Sequence, residues 1–266
     1  MKIHHLNCGT LYPLFPRGTQ SILYCLLVET DDGLVLVDTG FGIQDYEQPT
    51  RFIRFFTASL GMKCQVEETA AWQVERLGYK RSDVRHIVMT HLHNDHSGGL
   101  RDFPEANVHV YAREYEAAHS PKGFKARFYE AAHWSHSPKW EIYRDEGNLD
   151  WYGFNSLKIT GGFSADMRLI PLPGHTPGHC GVAIQTDTGW LLHCGDATYP
   201  FYHENKPAAP FKPLPRYVMS PPKWLEKSLV GEQTTGLKKL YENYGEEIQL
   251  ICSNDSITYS REVHQG

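Results

Sequence analysis

The chain lacks the features that would direct it to a bilayer, a nucleic acid or a disulfide-stapled scaffold. No stretch approaches the roughly 20 consecutive apolar residues that a membrane-spanning helix needs. Its first residues, Met1-Lys2-Ile3-His4-His5-Leu6-Asn7, lack the apolar core of a secretory signal, so a cytoplasmic location is expected. Nor is there a long block of Lys and Arg: 26 basic against 31 acidic residues leave a formal charge of −5. Binding to a phosphate backbone draws on clustered cations, so no nucleic-acid partner is expected and a small-molecule substrate is. The cysteines Cys8, Cys25, Cys64, Cys180, Cys194 and Cys252 contain no CxxC pair and read as reduced core thiols. Linkers, low-complexity tracts and solenoid repeats are also missing, so residues 1–266 are read as one domain. At 41% hydrophobic and 21% charged, that domain has the apolar content for a sizeable core.

β-type runs at residues 2–8, 21–29 and 34–37 are separated by Pro13, Pro16, Gly18 and the Asp31-Asp32-Gly33 turn, a meander pattern. Residues 40–61 carry Tyr46, Phe52, Ile53, Phe55 and Phe56 among polar neighbours, which fits either a helical hairpin packed on the core or a cover over a site. Residues 67–77 read as an amphipathic helix closed by Gly78, and 85–89 as a buried strand. A strand at 108–111 and a helix at 113–119 follow. Residues 123–154 are dense in aromatic side chains, which fits core packing, an apolar substrate wall or a homodimer contact. Strands at 156–160, 168–172, 181–186 and 190–194, a Pro-rich loop at 200–222, a helix at 223–244 and a strand at 248–252 complete the pattern. Strands interleaved with helices in each half predict two sheets face to face with helices outside.

The chemistry concentrates in Thr90-His91-Leu92-His93-Asn94-Asp95-His96-Ser97-Gly98-Gly99, directly after the apolar run ending at Met89. Imidazole and carboxylate suit zinc and its divalent neighbours, and a short turn can aim closely spaced side chains into one cavity. Two further groups follow strands: Pro173-Gly174-His175-Thr176-Pro177-Gly178-His179 after Leu172, and Gly195-Asp196-Ala197 after Cys194. His179 is read as hydrogen-bonding within its loop rather than touching metal.

In this order the motifs, HxHxDH, then GHTPGH, then Asp196, resemble the metallo-β-lactamase superfamily, and the resemblance runs through nearly the whole chain. It implies an α+β fold, the four-layer αββα sandwich, with the site at one edge. His91, His93 and His175 would hold a first metal, Asp95 and His96 a second, and Asp196 would bridge them. Asp38, in Leu36-Val37-Asp38-Thr39-Gly40, would support the site from behind. A metal-bridging hydroxide would attack the substrate carbonyl, and Asp95 would protonate the leaving group. Zinc is the expected metal, with manganese, iron and cobalt compatible with the same donors.

The chain departs from the family pattern near its C-terminus. A histidine usually stands before an Asp there, but this sequence reads Cys252-Ser253-Asn254-Asp255. Asn254 offers a weaker amide oxygen, so the second metal is expected to be loosely held; Asp255 and His264 are substitutes, with a surface role the simpler reading for His264. Asp196-Ala197-Thr198-Tyr199 is similar to the N-acyl-homoserine lactonase branch, which implies that Tyr199 acts as an oxyanion donor; packing beneath Pro200 is the bland alternative. A lactone or related ester is therefore the expected substrate. β-Lactams and glyoxalase-type thioesters use the same machinery, and a mononuclear iron persulfide dioxygenase shares the fold.

Overall fold

Alternation along the strands divides the apolar residues among three layers. In β2 (Ser21–Thr30), Ile22, Tyr24, Leu26 and Val28 enter one buried cluster while Leu23, Cys25 and Leu27 enter another. β3 (Gly33–Val37) repeats this, with Val35 and Val37 on the first side and Leu34 and Leu36 on the second. A strand apolar at successive positions must be covered on both faces, because its side chains point alternately up and down. Each fully buried Leu or Val contributes about 1.5–3 kcal/mol, so the three layers hold the two sheets in register.

The computed structural model describes residues 1–12, 20–145, 149–197 and 226–265. One six-stranded sheet runs in the order β1 (Ile3–Leu11), β2, β3, β4 (Val84–Val88), β5 (Asn107–Tyr111) and β6 (Lys139–Tyr143). The other runs β12 (Ile248–Ile251), β11 (Gly189–His193), β10 (Cys180–Thr186), β9 (Met167–Pro171), β8 (Phe154–Lys158) and β7 (Leu149–Trp151). Between the sheets lie Tyr24, Leu26, Val88, Leu169, Val182 and Ile184. On the outer face of the first sheet pack α2 (Arg51–Ser59) and α3 (Ala70–Arg76), through Ile53, Phe56, Ala70 and Val74. The long helix at Glu226–Tyr244 covers the second sheet through Leu237 and Leu240. The fold is thus the four-layer αββα sandwich that the sequence predicts.

Local chemistry explains the boundaries. Thr50 and Thr69 cap α2 and α3, their hydroxyls accepting from the backbone N–H of Ile53 and Trp72. α3 ends where Gly78 takes φ +92°, with Gly78 N–H donating to Glu75 O and Tyr79 N–H to Val74 O, a Schellman closure. Residues 40–61 form two helices, the short α1 (Ile43–Glu47) and α2, that bury Ile53 and Phe56 and leave Phe55 69% exposed. Strands β6 and β7 were not expected. Their alternation is masked by half-exposed apolar residues at the sheet edges, such as Trp140, Ile142 and Tyr143. The helix at Ser256–Gln265 was also missed; Asp255 caps it, accepting from Thr258 N–H at 2.9 Å. Five of the cysteines are buried and all are free, with Cys64 half-exposed. The Pro-rich loop expected at 200–222 lies outside the described residues. No helix among the described residues is long and apolar enough to cross a membrane.

Candidate metal centre

Four loops reach one edge of the sandwich because the strands that carry them end together. β3 and β4 are parallel with Val37 opposite Val88, so Asp38 and Thr90 emerge side by side. Asp38 N–H donates to Val88 O at 3.0 Å, and Thr39 N–H to His96 O at 2.9 Å. In the second sheet the loop from Leu172 to His179 precedes β10, whose first residue, Cys180, donates to Thr90 O at 2.9 Å across the sheets. β11 and β12 are parallel and end together, with Cys194 N–H on Ile251 O and Ser253 N–H on Gly195 O.

Asp38 organises the first loop. Its buried carboxylate accepts from Thr90 N–H (2.8 Å), the Thr90 hydroxyl (2.7 Å) and His96 Nδ1–H (2.8 Å). Three donors converge because the backbone turns at φ +56°, a conformation a side chain adopts only when its surroundings hold it there. The Thr90 hydroxyl, having donated to Asp38, accepts from His91 Nδ1 at 3.0 Å. These bonds turn the Nδ1 side of both rings toward protein acceptors and leave Nε2 of His91 and His96 facing the site.

Unpartnered donor atoms are the signature of this site. The Nε2 atoms of His91, His93 and His96 and Oδ1 of Asp196 are all buried without a hydrogen-bond partner. Buried polar atoms are almost always paired, since each unpaired one costs on the order of 1–3 kcal/mol. Here they converge. The donor atoms of His91, His93 and His175 lie within 4.8 Å of one another, as do those of His91, His96 and Asp196. Ring centroids of His91 stand 4.0 Å from His96, 4.8 Å from His93 and 4.9 Å from His175.

The electrostatics agree. Burial, reinforced by the surrounding imidazoles, pushes His91 and His93 well below the usual histidine range and holds them neutral, ready to ligate. Burial alone would raise Asp196, but His96, His175 and His179 hold it ionised, well below the usual carboxylate range. Burial pushes Asp95 up to about 6, against the pull of His96 and with the push of Asp196. Burial alone would lower His96, but the Asp196, Asp38 and Asp95 carboxylates raise it well above the usual histidine range, so a divalent ion bound here would take the place of its proton. Imidazoles around an ionised carboxylate suit Zn²⁺ and similar ions, so the residues present fit a divalent metal.

Not every expected residue joins the clusters. Asp95 lies beside them, Oδ2 being 4.0 Å from His96 Nε2. The Asn254 amide oxygen accepts from the Ser21 hydroxyl at 2.9 Å, so it already has a protein partner. Asp255 serves as a helix cap and His264 is exposed. Tyr199 lies outside the described residues. His179 reaches further than its own loop: its Nε2 accepts from Asp196 N–H at 2.9 Å. His193, which stands outside every motif in the sequence, donates from Nε2 to Tyr24 O (2.7 Å) and accepts at Nδ1 from Gly195 N–H (3.1 Å). Two neutral imidazoles thus fix consecutive amides of the Asp196 turn. No motif spacing signals His193; only its place at the end of β11 does.

A histidine-lined edge of an αββα sandwich, with bare donor atoms and an ionised carboxylate, defines a metallo-hydrolase framework. The sequence profile of the metallo-beta-lactamase superfamily matches residues 18–230, and the chain belongs to that superfamily. A protein of Mycobacterium tuberculosis named "Probable metallo-hydrolase" is 40% identical over 262 residues, 97% of this chain and 82% of that one. An N-acyl homoserine lactonase of a Bacillus species is 32% identical over 181 residues, 66% of this chain and 64% of its own. A solved N-acyl homoserine lactone hydrolase with N-hexanoyl-L-homoserine at its catalytic metal centre superposes with a TM-score of 0.69 at 22% identity. That superposition covers 98% of this chain and 95% of the other, and shows the shared fold.

Proposed function

We propose that this metallo-hydrolase opens a lactone or a related cyclic or activated ester, using two divalent ions, zinc foremost. The observation that carries the proposal is the convergence of ligand atoms of His91, His93 and His175 and of His91, His96 and Asp196 into two adjoining groups. His91, His93 and His175 would hold one ion; His96 and Asp95 would hold the second, with Asp196 reaching both. Asn254 would be at most a weak additional ligand through the oxygen that Ser21 already engages. Bound divalent ions supply a hydroxide nucleophile at neutral pH and Lewis-acid polarisation of a carbonyl.

The chain's own residues do the rest. Asp38 and Thr90 lock the imidazoles of His96 and His91, so the donor atoms are oriented before substrate arrives. Asp95, beside His96 at the edge of the cluster, would carry a proton to the leaving alkoxide. Tyr199 would donate to the carbonyl oxygen as charge develops there. An aromatic wall adjoins the site: Phe128 and Tyr129 stand 5.5 and 5.1 Å from the His93 ring, with Phe52 and Phe56 packed behind Phe128. Such a wall suits an acyl tail, and the lactonases among the relatives act on acyl-homoserine lactones.

Hydrolysis of a panel of acyl-lactones, β-lactams and thioesters by zinc-loaded protein tests this. Lactone opening that exceeds turnover of the other two classes supports the proposal. Preference for β-lactams or thioesters would move the substrate assignment while leaving the metal site in place. Iron-dependent oxygen consumption with a persulfide, without ester turnover, would replace it.

A further inference from the structure

Glu114 lies on the helix Ala112–His119, buried, and belongs to none of the metal-ligand motifs in sequence. Burial pushes its carboxyl up, and only hydrogen-bond donors can offset that cost. Four are present. Oε1 accepts from Leu92 N–H (2.9 Å) and the Tyr129 hydroxyl (3.2 Å). Oε2 accepts from the Thr176 hydroxyl (2.5 Å) and Gly178 N–H (3.2 Å).

These donors come from separate parts of the site. Leu92 sits between His91 and His93, Thr176 follows His175, and the Tyr129 ring packs on His93. One carboxylate therefore ties the two loops that carry His93 and His175 to each other and to the aromatic wall. The loop is shaped for it: a side-chain carbon on Gly178 would stand 2.0 Å from the Glu114 backbone nitrogen, so only glycine lets it come this close. Across the join, His93 Nδ1 and His175 Nε2 are 3.0 Å apart.

We propose that Glu114 is a positioning residue for the metal site, a clamp that sets the separation of His93 and His175 and so the affinity of the ion they hold. The inference rests on the assignment of those two histidines as ligands. Backbone N–H groups cannot reverse polarity. In Glu114→Gln, whichever oxygen becomes NH₂ faces the N–H of Leu92 or of Gly178, and one loop is released.

Chelator-stripped protein is titrated with Zn²⁺ against a chromogenic chelator, with folding followed by circular dichroism. Glu114→Gln is expected to weaken the tightest zinc by about ten- to a hundredfold, the range seen when supporting hydrogen bonds of metal ligands are lost. Thr176→Val, which removes a single hydroxyl donor, is expected to weaken it less and serves if Glu114→Gln does not fold. Leu240→Ala, buried against the second sheet, is the control for plain destabilisation and is expected to leave zinc affinity unchanged. His93→Ala tests the underlying assignment. Loss of affinity in His93→Ala with wild-type affinity in Glu114→Gln and Thr176→Val would overturn the clamp alone. Wild-type affinity in His93→Ala would overturn the ligand assignment, and equal weakening in Leu240→Ala would reduce Glu114 to a general stability role.

Discussion

A histidine pair remote from the metal cluster makes the protein's stability pH-dependent in a calculable way. His109, on β5, is wholly buried; its Nε2 lies 3.0 Å from His86 Nδ1 and its Nδ1 2.9 Å from the Tyr143 hydroxyl. His86 in turn reaches the Asp32 carboxylate at 3.3 Å. Burial, with the His86 imidazole adding to it, pushes His109 down to about 3 from an ordinary 6.5. The folded state therefore keeps this ring neutral where the unfolded chain protonates it. Stability from this group is full above pH 6.5 and is lost as pH falls from 6.5 toward 3, because the unfolded state binds the extra proton throughout that window. One pKa unit is about 1.4 kcal/mol, so going from pH 7.5 to 5.0 should cost about 2 kcal/mol through His109. The assay is urea denaturation at both pH values for the wild type and for His109→Gln, which keeps partners for Tyr143 and His86 without titrating. The difference of differences isolates His109 from the other ionisable groups. Equal losses of stability in the two proteins between pH 7.5 and 5.0 would refute the reasoning.

Asp38→Asn keeps the φ +56° backbone, which Asn tolerates, but replaces an acceptor of three bonds; chelator competition should show the zinc at His96 weakened about tenfold or more. Phe128→Ala removes the ring beside His93 and should raise KM for long acyl-lactones about tenfold with little change for short ones, read from steady-state kinetics across chain lengths. Stripping with a chelator should lower Tm, and zinc at about 100 times its Kd should restore about 2.7 kcal/mol of stability in thermal melts.

The sequence made much of this arrangement legible, for reasons that differ by region. The two-faced strands β2, β3 and β10 announce a covered sheet because their residues are apolar at successive positions, and the His91–His96 loop stands out because ligand types crowd directly after such a strand. Asp38 could be placed by its position after β3. Edge strands β6 and β7 were hidden, since an edge tolerates Lys139, Glu141 and half-exposed aromatics that blur the alternation. Glu114 and His193 were hidden for another reason. Their roles depend on which backbone amides the tertiary fold delivers to them, and nothing in their local spacing records that.

His91 belongs to both donor groups, so it tests the account most directly. Metal per chain, measured by elemental analysis on protein purified without chelator, should be near two in the wild type and fall sharply in a folded His91→Ala variant. Undiminished metal content in that variant would contradict the claim that these loops converge to hold divalent ions.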